Sequence, residues 1–195
     1  MSLSDNLDWK ALTSRIKTCT DCHLHLTRRN AVSYRGGNTP KIIFIGEAPG
    51  KDEDIQGLPF VGRAGKLLDK YIEKIGLSND DYGIINVLKC RPKDNKFDFE
   101  AEKKCVHYLD EQLAILQPRL IVTLGQRATE QFITIEKKFM DYVGQIIPIK
   151  KINNNNSALS LFIMFHPALV LYNPGYRKQW DELWQKLQDI IRKEL

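Results

Sequence analysis

The sequence predicts an α/β fold, in which helices cover both faces of a central, mainly parallel four-stranded sheet to form a three-layer α/β/α sandwich. Three observations support this prediction. Four short segments are apolar along their length, amphipathic segments alternate with them, and 195 residues suffice for one core but fall short of what two domains usually need. Such alternation is typical of parallel sheets buried between helical layers. We therefore expect residues 1–195 to form a single domain.

The predicted strands are short apolar runs, as expected of strands that are buried on both faces. In chain order they are Lys41–Gly46, Gly83–Leu88, Arg119–Gly125 and Leu161–Phe165. The segment Tyr142–Lys150 is a candidate for an additional strand. The polar run Asn153–Asn156 that follows it predicts an exposed loop.

Helices are predicted where apolar residues recur at helical spacing. The first covers Gly62–Ile75, and the next two cover Phe99–Leu116 and Gln126–Phe132. The last, Arg177–Lys193, has an apolar face that consists of Trp180, Leu183, Trp184, Leu187, Ile190 and Ile191. An apolar stripe of this kind is what a helix needs in order to pack on a sheet.

The charge and hydropathy of the chain indicate where the protein is located, but they do not identify its binding partner. It contains 29 Lys and Arg against 24 Asp and Glu, a net charge of +5 that suits a polyanion but does not by itself identify one. No apolar run reaches the roughly 18 residues that a membrane span needs. The N-terminal segment is polar and lacks the apolar centre of a signal peptide. We expect a cytoplasmic protein with no membrane partner.

The polar residues of greatest interest follow the predicted strands. Gly46–Gly50 (GEAPG) ends the first strand, Asn86 lies near the end of the second, and His166 follows the fourth. In parallel sheets, ligands bind where loops converge at the carboxyl ends of strands. Each residue also has an ordinary explanation: Glu47 as a solvated turn residue, Asn86 and His166 as satisfied polar groups. Phe60 would by default belong to the core.

The four cysteines indicate a metal centre, because disulfides are rare in a reducing compartment. Cys19 and Cys22 form a C-x-x-C pair that can bind one centre from a single turn, whereas Cys90 and Cys105 must be brought to it by folding. Structural zinc sites more often use two close pairs, so this spacing favours an iron–sulfur cluster, with zinc as the alternative. Unrelated buried thiols are disfavoured because the pair lies in a polar stretch (TCTDCHLH).

Taken together, these motifs resemble the family 4 uracil-DNA glycosylases, bacterial and archaeal enzymes that carry a 4Fe-4S cluster. The resemblance rests on CTDC at 19–22, LTRRNAV at 26–32, the block GEAPGKDEDIQGLPFVGRAGKLL at 46–68, NVLKCRP at 86–92, Cys105 and HPA at 166–168. It extends from Cys19 to about Trp184. It implies a monofunctional DNA-repair enzyme that flips uracil out of DNA and hydrolyses its N-glycosidic bond, leaving an abasic site for base excision repair.

The resemblance also implies a role for individual residues. Cys19, Cys22, Cys90 and Cys105 would bind the cluster. Gly46, Glu47 and Ala48 would line the uracil pocket and position the attacking water. Phe60 would stack on the flipped base, Asn86 would pair with its polar edge, and His166 would stabilise the negative charge of the leaving uracil. Glu47 and His166 are thus the predicted catalytic residues. We expect a monomer that binds uracil-containing double- or single-stranded DNA.

The chain departs from the usual family pattern outside the predicted pocket. Pro92-Lys93 stands in place of a double proline, Asn95-Lys96 in place of Asn-Arg, and Tyr172 where an arginine is expected. The apolar run Leu169–Leu171 either wedges into the base stack or begins a helix.

The same residues disfavour three other functions. A non-catalytic or covalently trapping uracil-DNA binding protein would carry Gln in place of Glu47 and a basic, His-containing insertion after the second strand, and the sequence has neither. A structural or interaction module with a vestigial pocket is disfavoured because Glu47, Asn86 and His166 occur together. A zinc-containing nucleotide-binding protein is disfavoured because no phosphate-loop pattern is present.

Overall fold

The computed structural model describes residues 3–149 and 159–194. Its helices are α1 (Leu3–Thr18), α2 (Lys51–Gln56), α3 (Arg63–Lys74), α4 (Phe99–Leu116), α5 (Gln126–Thr129), α6 (Pro167–Tyr172) and α7 (Arg177–Glu194). Its strands are β1 (Arg35–Gly36), β2 (Ile42–Gly46), β3 (Tyr82–Asn86), β4 (Leu120–Leu124), β5 (Ile146–Ile149) and β6 (Leu159–Met164). Short 3₁₀ turns cover His23–Leu26, Lys93–Asn95, Phe139–Asp141 and Pro174–Tyr176.

The strands form one sheet in the order β1-β3-β2-β4-β6-β5. The four central strands are mutually parallel and are the four that the apolar runs predict. The sheet has six strands rather than four, because β1 and β5 add antiparallel edges. These edges are hard to predict: β1 has two residues, and β5 contains Pro148 and is only partly buried. The candidate strand Tyr142–Lys150 includes β5, but Lys150 and the predicted loop Asn153–Asn156 lie outside the described residues.

Each face of the sheet carries its own apolar core, as the predicted three-layer sandwich requires. On one face, Phe44 and Phe162 pack with side chains of α3 and α7, including the fully buried Trp180 and Trp184. On the other face, strand residues such as Ile43 pack against Leu109, Leu113 and Leu116 of α4. Burying one large aliphatic side chain contributes about 1.5–3 kcal/mol, so both helical layers are held mainly by these contacts.

The predicted helices correspond to α3, α4, α5 and α7. The bounds of α4 match the prediction, and the carboxylate of Asp98 caps it by accepting a hydrogen bond from the Ala101 backbone N–H at 2.9 Å. Helix α5 ends at Thr129, earlier than predicted. Helices α1 and α2 were not predicted, since neither has a long apolar stripe. Among the described residues, no helix has the length and apolar character needed to cross a membrane.

Candidate active site and cysteine cluster

A cavity of about 360 Å³ opens at the carboxyl ends of the parallel strands. Its volume lies within the range of small-molecule sites, roughly 300–1,000 Å³. The predicted residues Glu47, Ala48, Phe60, Asn86 and His166 all line it. The sixth, Gly46, lies in register with Asn86 across β2 and β3. The fold therefore brings the predicted pocket residues together, although they are up to 120 positions apart in the chain.

Gly46 allows two other pocket side chains to approach the backbone closely. A Cβ atom at this position would lie 2.5 Å from both the Asn86 Oδ1 and the Phe60 ring. Any larger residue would therefore displace the ring or the amide. Gly46 therefore determines the shape of the pocket, because the absence of a side chain lets the ring and the amide lie against its backbone.

Phe60 is held over the cavity by an unusual backbone conformation. Its φ is +54°, in the left-handed region that a bulky residue rarely adopts, and its side chain is 5% exposed. A Cβ atom at Gly65 would lie 1.8 Å from the Phe60 carbonyl oxygen, so only glycine permits this close approach of α3. The ring centroids of Phe60 and His166 are 5.6 Å apart, with 36° between the ring planes. Backbone strain of this kind is common at functional sites.

Asn86 carries the most informative polar group in the cavity. The residue is 1% exposed, and neither its Oδ1 nor its Nδ2 has a hydrogen-bond partner among the described residues. Leaving a buried polar group unpaired costs about 1–3 kcal/mol, so such groups are usually satisfied by protein, water or ligand. The amide therefore offers two N–H donors and one acceptor oxygen to whatever occupies the cavity.

His166 is held as a neutral donor. The Ala168 backbone N–H donates to its Nδ1 at 3.1 Å, which places the ring proton on Nε2. Burial lowers the pKa of the imidazole to about 4, so it is uncharged at neutral pH. Its Nε2–H can donate a hydrogen bond without bringing a positive charge into the cavity.

Glu47 is half-buried at the cavity wall. Burial raises the pKa of its carboxyl group, Arg127 opposes that rise, and Glu130 adds to it. The Arg127 guanidinium is itself held by Glu130 at 2.8 Å and lies 4.7 Å from the centroid of the Phe99 ring. A partly desolvated carboxylate of this kind is a stronger base than one in open water.

The sequence predicts no pocket role for Glu53 and places the departures at Pro92 and Asn95 outside the pocket, but all three residues line the cavity. The expectation for Pro92 and Asn95 is therefore wrong. Glu53 accepts hydrogen bonds from the backbone N–H groups of Gly50, Val61 and Gly62, and Asn95 lines the cavity beside Pro92. Glu53 lies three residues after Gly50, which is the spacing between the N-cap and N3 positions of a helix capping box. This spacing could have indicated a hydrogen bond from Gly50 to Glu53. Nothing local in the sequence distinguishes Asn95 from an ordinary turn residue.

The apolar segment after His166 forms α6 and faces inwards. Val170 is 3% exposed, and Leu169 and Leu171 pack partly buried against the same core. The run therefore lies within α6, and its insertion into the base stack stays a prediction. Tyr172 at the end of α6 is 79% exposed.

The four cysteines meet at a second, smaller cavity. Cys19 and Cys22 follow α1, Cys90 follows β3, and Cys105 lies on α4; all four line this space. Helices α1 and α4 pack against each other, with Leu12 and Ile16 in the same apolar cluster as Cys90 and Cys105. In the described residues, no three His, Cys, Asp or Glu side chains have an arrangement that could hold a metal ion.

A guanidinium group and a backbone N–H group donate to two of the four sulfur atoms. The Arg28 guanidinium donates to the Cys90 Sγ at 3.1 Å, and the Lys89 backbone N–H donates to the Cys105 Sγ at 3.3 Å. Burial raises the pKa of the Cys105 thiol to about 11, and Lys89 opposes that rise. Lys89 is 2% exposed, and its Nζ donates to the Asn86 carbonyl oxygen at 2.5 Å.

Comparison with known proteins gives consistent results. The model of the Uracil DNA glycosylase superfamily matches residues 34–188. The Type-4 uracil-DNA glycosylase of Saccharolobus solfataricus is 38% identical over 190 residues, covering 96% of this chain and 87% of the relative. That of Archaeoglobus fulgidus is 36% identical over 192 residues, with 94% and 93% covered. That of Thermotoga maritima is 36% identical over 190 residues, with 94% of each covered.

Proposed function

The chain belongs to the Uracil DNA glycosylase superfamily and to its type-4 glycosylases, and from this premise we propose that it flips uracil out of DNA and hydrolyses the N-glycosidic bond. The products are free uracil and an abasic site, as in the first step of base excision repair. The observation that carries the proposal is the buried Asn86 amide, which has an unused donor and an unused acceptor beside an aromatic ring.

Base recognition follows from the chemistry of these two side chains. The Asn86 Nδ2–H₂ donates to the uracil O4, and its Oδ1 accepts from the uracil N3–H. Cytosine presents an amine in place of O4 and an unprotonated N3 in place of N3–H. Its amine would therefore face the Asn86 N–H donors, and its N3 would face the Asn86 oxygen, so neither hydrogen bond can form. Phe60 stacks on the face of the flipped base, which suits any pyrimidine, and therefore Asn86 supplies the discrimination against cytosine.

Leaving-group stabilisation is assigned to His166. Cleavage of the glycosidic bond leaves the electron pair on uracil, so negative charge develops on its O2. The His166 Nε2–H donates a hydrogen bond to that oxygen, because Nδ1 is already occupied by the Ala168 N–H. A positioned donor that acts mainly in the transition state contributes about 10²–10³ in rate.

Water activation is assigned to Glu47. As the base departs, the sugar acquires oxocarbenium character, and a water molecule attacks its C1′. The Glu47 carboxylate accepts a proton from that water and opposes the positive charge on the sugar. Its raised pKa strengthens it as a base. Gly46 and Ala48 complete the loop that places the water.

We also propose that Cys19, Cys22, Cys90 and Cys105 bind a 4Fe-4S cluster, which when bound serves as a cross-link between distant segments. The donor set fits such a group, because four cysteines line one space and two of their sulfur atoms accept hydrogen bonds from a guanidinium and a backbone N–H group. Four thiolates on one zinc ion would lie only about 3.8 Å apart, given a Zn–S bond of about 2.3 Å. The cysteine spacing, one close pair and two single residues, favours the cluster over zinc, since structural zinc sites more often use two close pairs.

The substrate is uracil-containing DNA, double- or single-stranded, and we predict a monomer in the cytoplasm that folds as one domain. The net charge of +5 supports phosphate binding.

A direct assay tests the proposed function. The purified protein is incubated with an oligonucleotide that carries one uracil, and alkali then cuts any abasic site. We expect a single cut at the uracil and none in a matched oligonucleotide with cytosine at that position. Uncut uracil strands, or strands that stay covalently attached to the protein, would contradict the proposed reaction.

A further inference from the structure

The carboxylate of Glu53 joins the two walls of the candidate pocket. Its Oε2 accepts a hydrogen bond from the Gly50 N–H at 3.0 Å. Its Oε1 accepts from the Val61 N–H at 2.9 Å and from the Gly62 N–H at 2.8 Å. Gly50 ends the loop that carries Glu47, and Val61 directly follows Phe60. One side chain therefore spans the segment that positions water and the segment that positions the stacking ring.

A helix cap alone does not account for this arrangement. The bond from Gly50 is the half of a capping box that the Glu53 carboxylate makes at the start of α2, since glycine has no side chain to make the other half. The other two bonds are made to a different segment, eight and nine residues further along the chain. Gly62 is also the residue that precedes α3, so Glu53 fixes where α3 begins relative to α2.

The left-handed backbone of Phe60 makes this attachment important. A phenylalanine at φ +54° is strained and persists only if its surroundings enforce it. Two constraints flank the residue: Gly65 contacts its carbonyl oxygen, and Glu53 binds the next two N–H groups. Hydrogen bonds to an ionised carboxylate are roughly twice as strong as neutral ones, so the charge of Glu53 strengthens this constraint.

We infer that Glu53 is a positioning residue for uracil excision, which holds the Phe60 ring and the Glu47 loop at the spacing that a flipped uracil requires. This inference rests on the proposed function. Glu53 acts through backbone groups and need not touch the substrate. Misplacing reacting groups by about 1 Å can cost on the order of a hundredfold in rate, so small shifts of these segments are enough to slow cleavage.

The test measures single-turnover excision of uracil at saturating protein by Glu53→Gln. Glutamine has nearly the same size but presents an NH₂ group to backbone N–H donors, so it cannot accept all three bonds. We expect the rate to fall about tenfold or more, with the affinity for uracil-free DNA changed by less than about twofold. Asp52→Asn is the control, since it removes the same charge from an exposed position on α2 and should leave the rate unchanged.

Two further variants separate positioning from general stability. Glu53→Asp keeps the charge at the start of α2 but is too short to reach both segments, so it should also slow cleavage. In a Phe60→Ala background, Glu53→Gln should slow cleavage much less than in the wild-type chain, because the ring it positions is gone.

The outcomes distinguish this inference from the proposed function. If the wild-type protein excises no uracil, the proposed function fails. If it does, and Glu53→Gln cleaves at the wild-type rate at a temperature where both proteins are folded, Glu53 has only a structural role. Equal slowing by Glu53→Gln in both backgrounds would show that it does not act through Phe60.

Discussion

At the scale of single residues, Asn86 gives the clearest indication of a ligand. Its buried amide has no hydrogen-bond partner among the described residues, which costs folding free energy unless a ligand or water pairs with it. We predict that Asn86→Asp slows uracil excision by about tenfold to a hundredfold, since the carboxyl group loses the donor to O4. The same variant should begin to cut cytosine-containing strands, because a carboxyl group accepts from the exocyclic amine. Asn95→Asp, which changes a different cavity residue in the same way, controls for added charge. A variant with the wild-type rate and strict uracil selectivity would refute base reading by Asn86.

The pH dependence of excision should identify Glu47. Its pKa is raised by burial, so the ionised base is present above that pKa and is lost as the pH falls through it. The pKa of His166 is lowered to about 4, and its neutral form therefore persists throughout the mildly acidic range. We predict a rate that falls on the acid side with a midpoint above that of an ordinary glutamate, about 4.3, and no step near 6.5.

Single-turnover rates from pH 4.5 to 8 would test this, with Glu47→Gln as the comparison. The acid limb should vanish in that variant along with most of the rate. A step near pH 6.5 that disappears in His166→Ala would instead mean that a charged imidazole acts in the reaction.

The sequence could indicate most pocket residues but not how they are held. Glu47, Asn86 and His166 follow apolar strands, and parallel strands bring their carboxyl ends together, so their proximity was predictable. The positive φ of Phe60 was not, because nothing in the sequence marks a phenylalanine for the left-handed region. The partners of Glu53 were hidden for a related reason: they are backbone groups, which carry no residue identity.

At the scale of secondary structure elements, the segment between Phe60 and α3 depends on Gly65. We predict that Gly65→Ala slows excision strongly, because its Cβ would lie 1.8 Å from the Phe60 carbonyl oxygen and must push that residue away. Gly76→Ala is the matched control, since its φ is +84° but a Cβ would meet nothing within 4 Å. It should cost stability, about 1 kcal/mol, without changing the rate. Comparable rates for the two variants would argue against a role for this contact.

The cysteine-bearing elements should be coupled to DNA binding. We predict that Cys90→Ser or Cys105→Ser lowers the iron content, the thermal stability and the affinity for DNA together, because the loop after Cys90 also carries Arg91 and Lys93. Iron analysis, thermal melting and a DNA-binding titration would measure the three effects. Arg91→Ala should weaken DNA binding and leave the iron content unchanged. A serine variant that loses iron yet binds DNA normally would disprove the coupling.

The elements themselves were predicted unevenly, for a physical reason. The four central strands are buried on both faces, and α4 is buried along a long stripe. Their sequences therefore show a clear pattern of apolar residues. The edge strands β1 and β5 are short and partly exposed, and their pairing depends on neighbours rather than on their own residues. Helix α2 has six residues, too few to show a helical period.

At the scale of the whole molecule, the candidate active site and the cysteine cluster share one stretch of chain. Asn86 ends β3, and Cys90 follows four residues later. Lys89 connects them, because its Nζ donates to the Asn86 carbonyl and its backbone N–H donates to the Cys105 Sγ. The sheet places the pocket, and the packing of α1 on α4 places the cysteines beside it. The two sites are thus supported by the same framework.

We expect this pocket to cleave the glycosidic bond of uracil through His166 and Glu47. Single-turnover excision of uracil from one oligonucleotide, measured for the wild-type protein, His166→Ala and Glu47→Ala, tests it most directly. We predict that His166→Ala is slower by about a hundredfold or more with nearly unchanged DNA affinity, as expected for an interaction made in the transition state. Glu47→Ala should also be slower, by a smaller factor if backbone groups help to hold the water. Wild-type rates in both variants would contradict the mechanism.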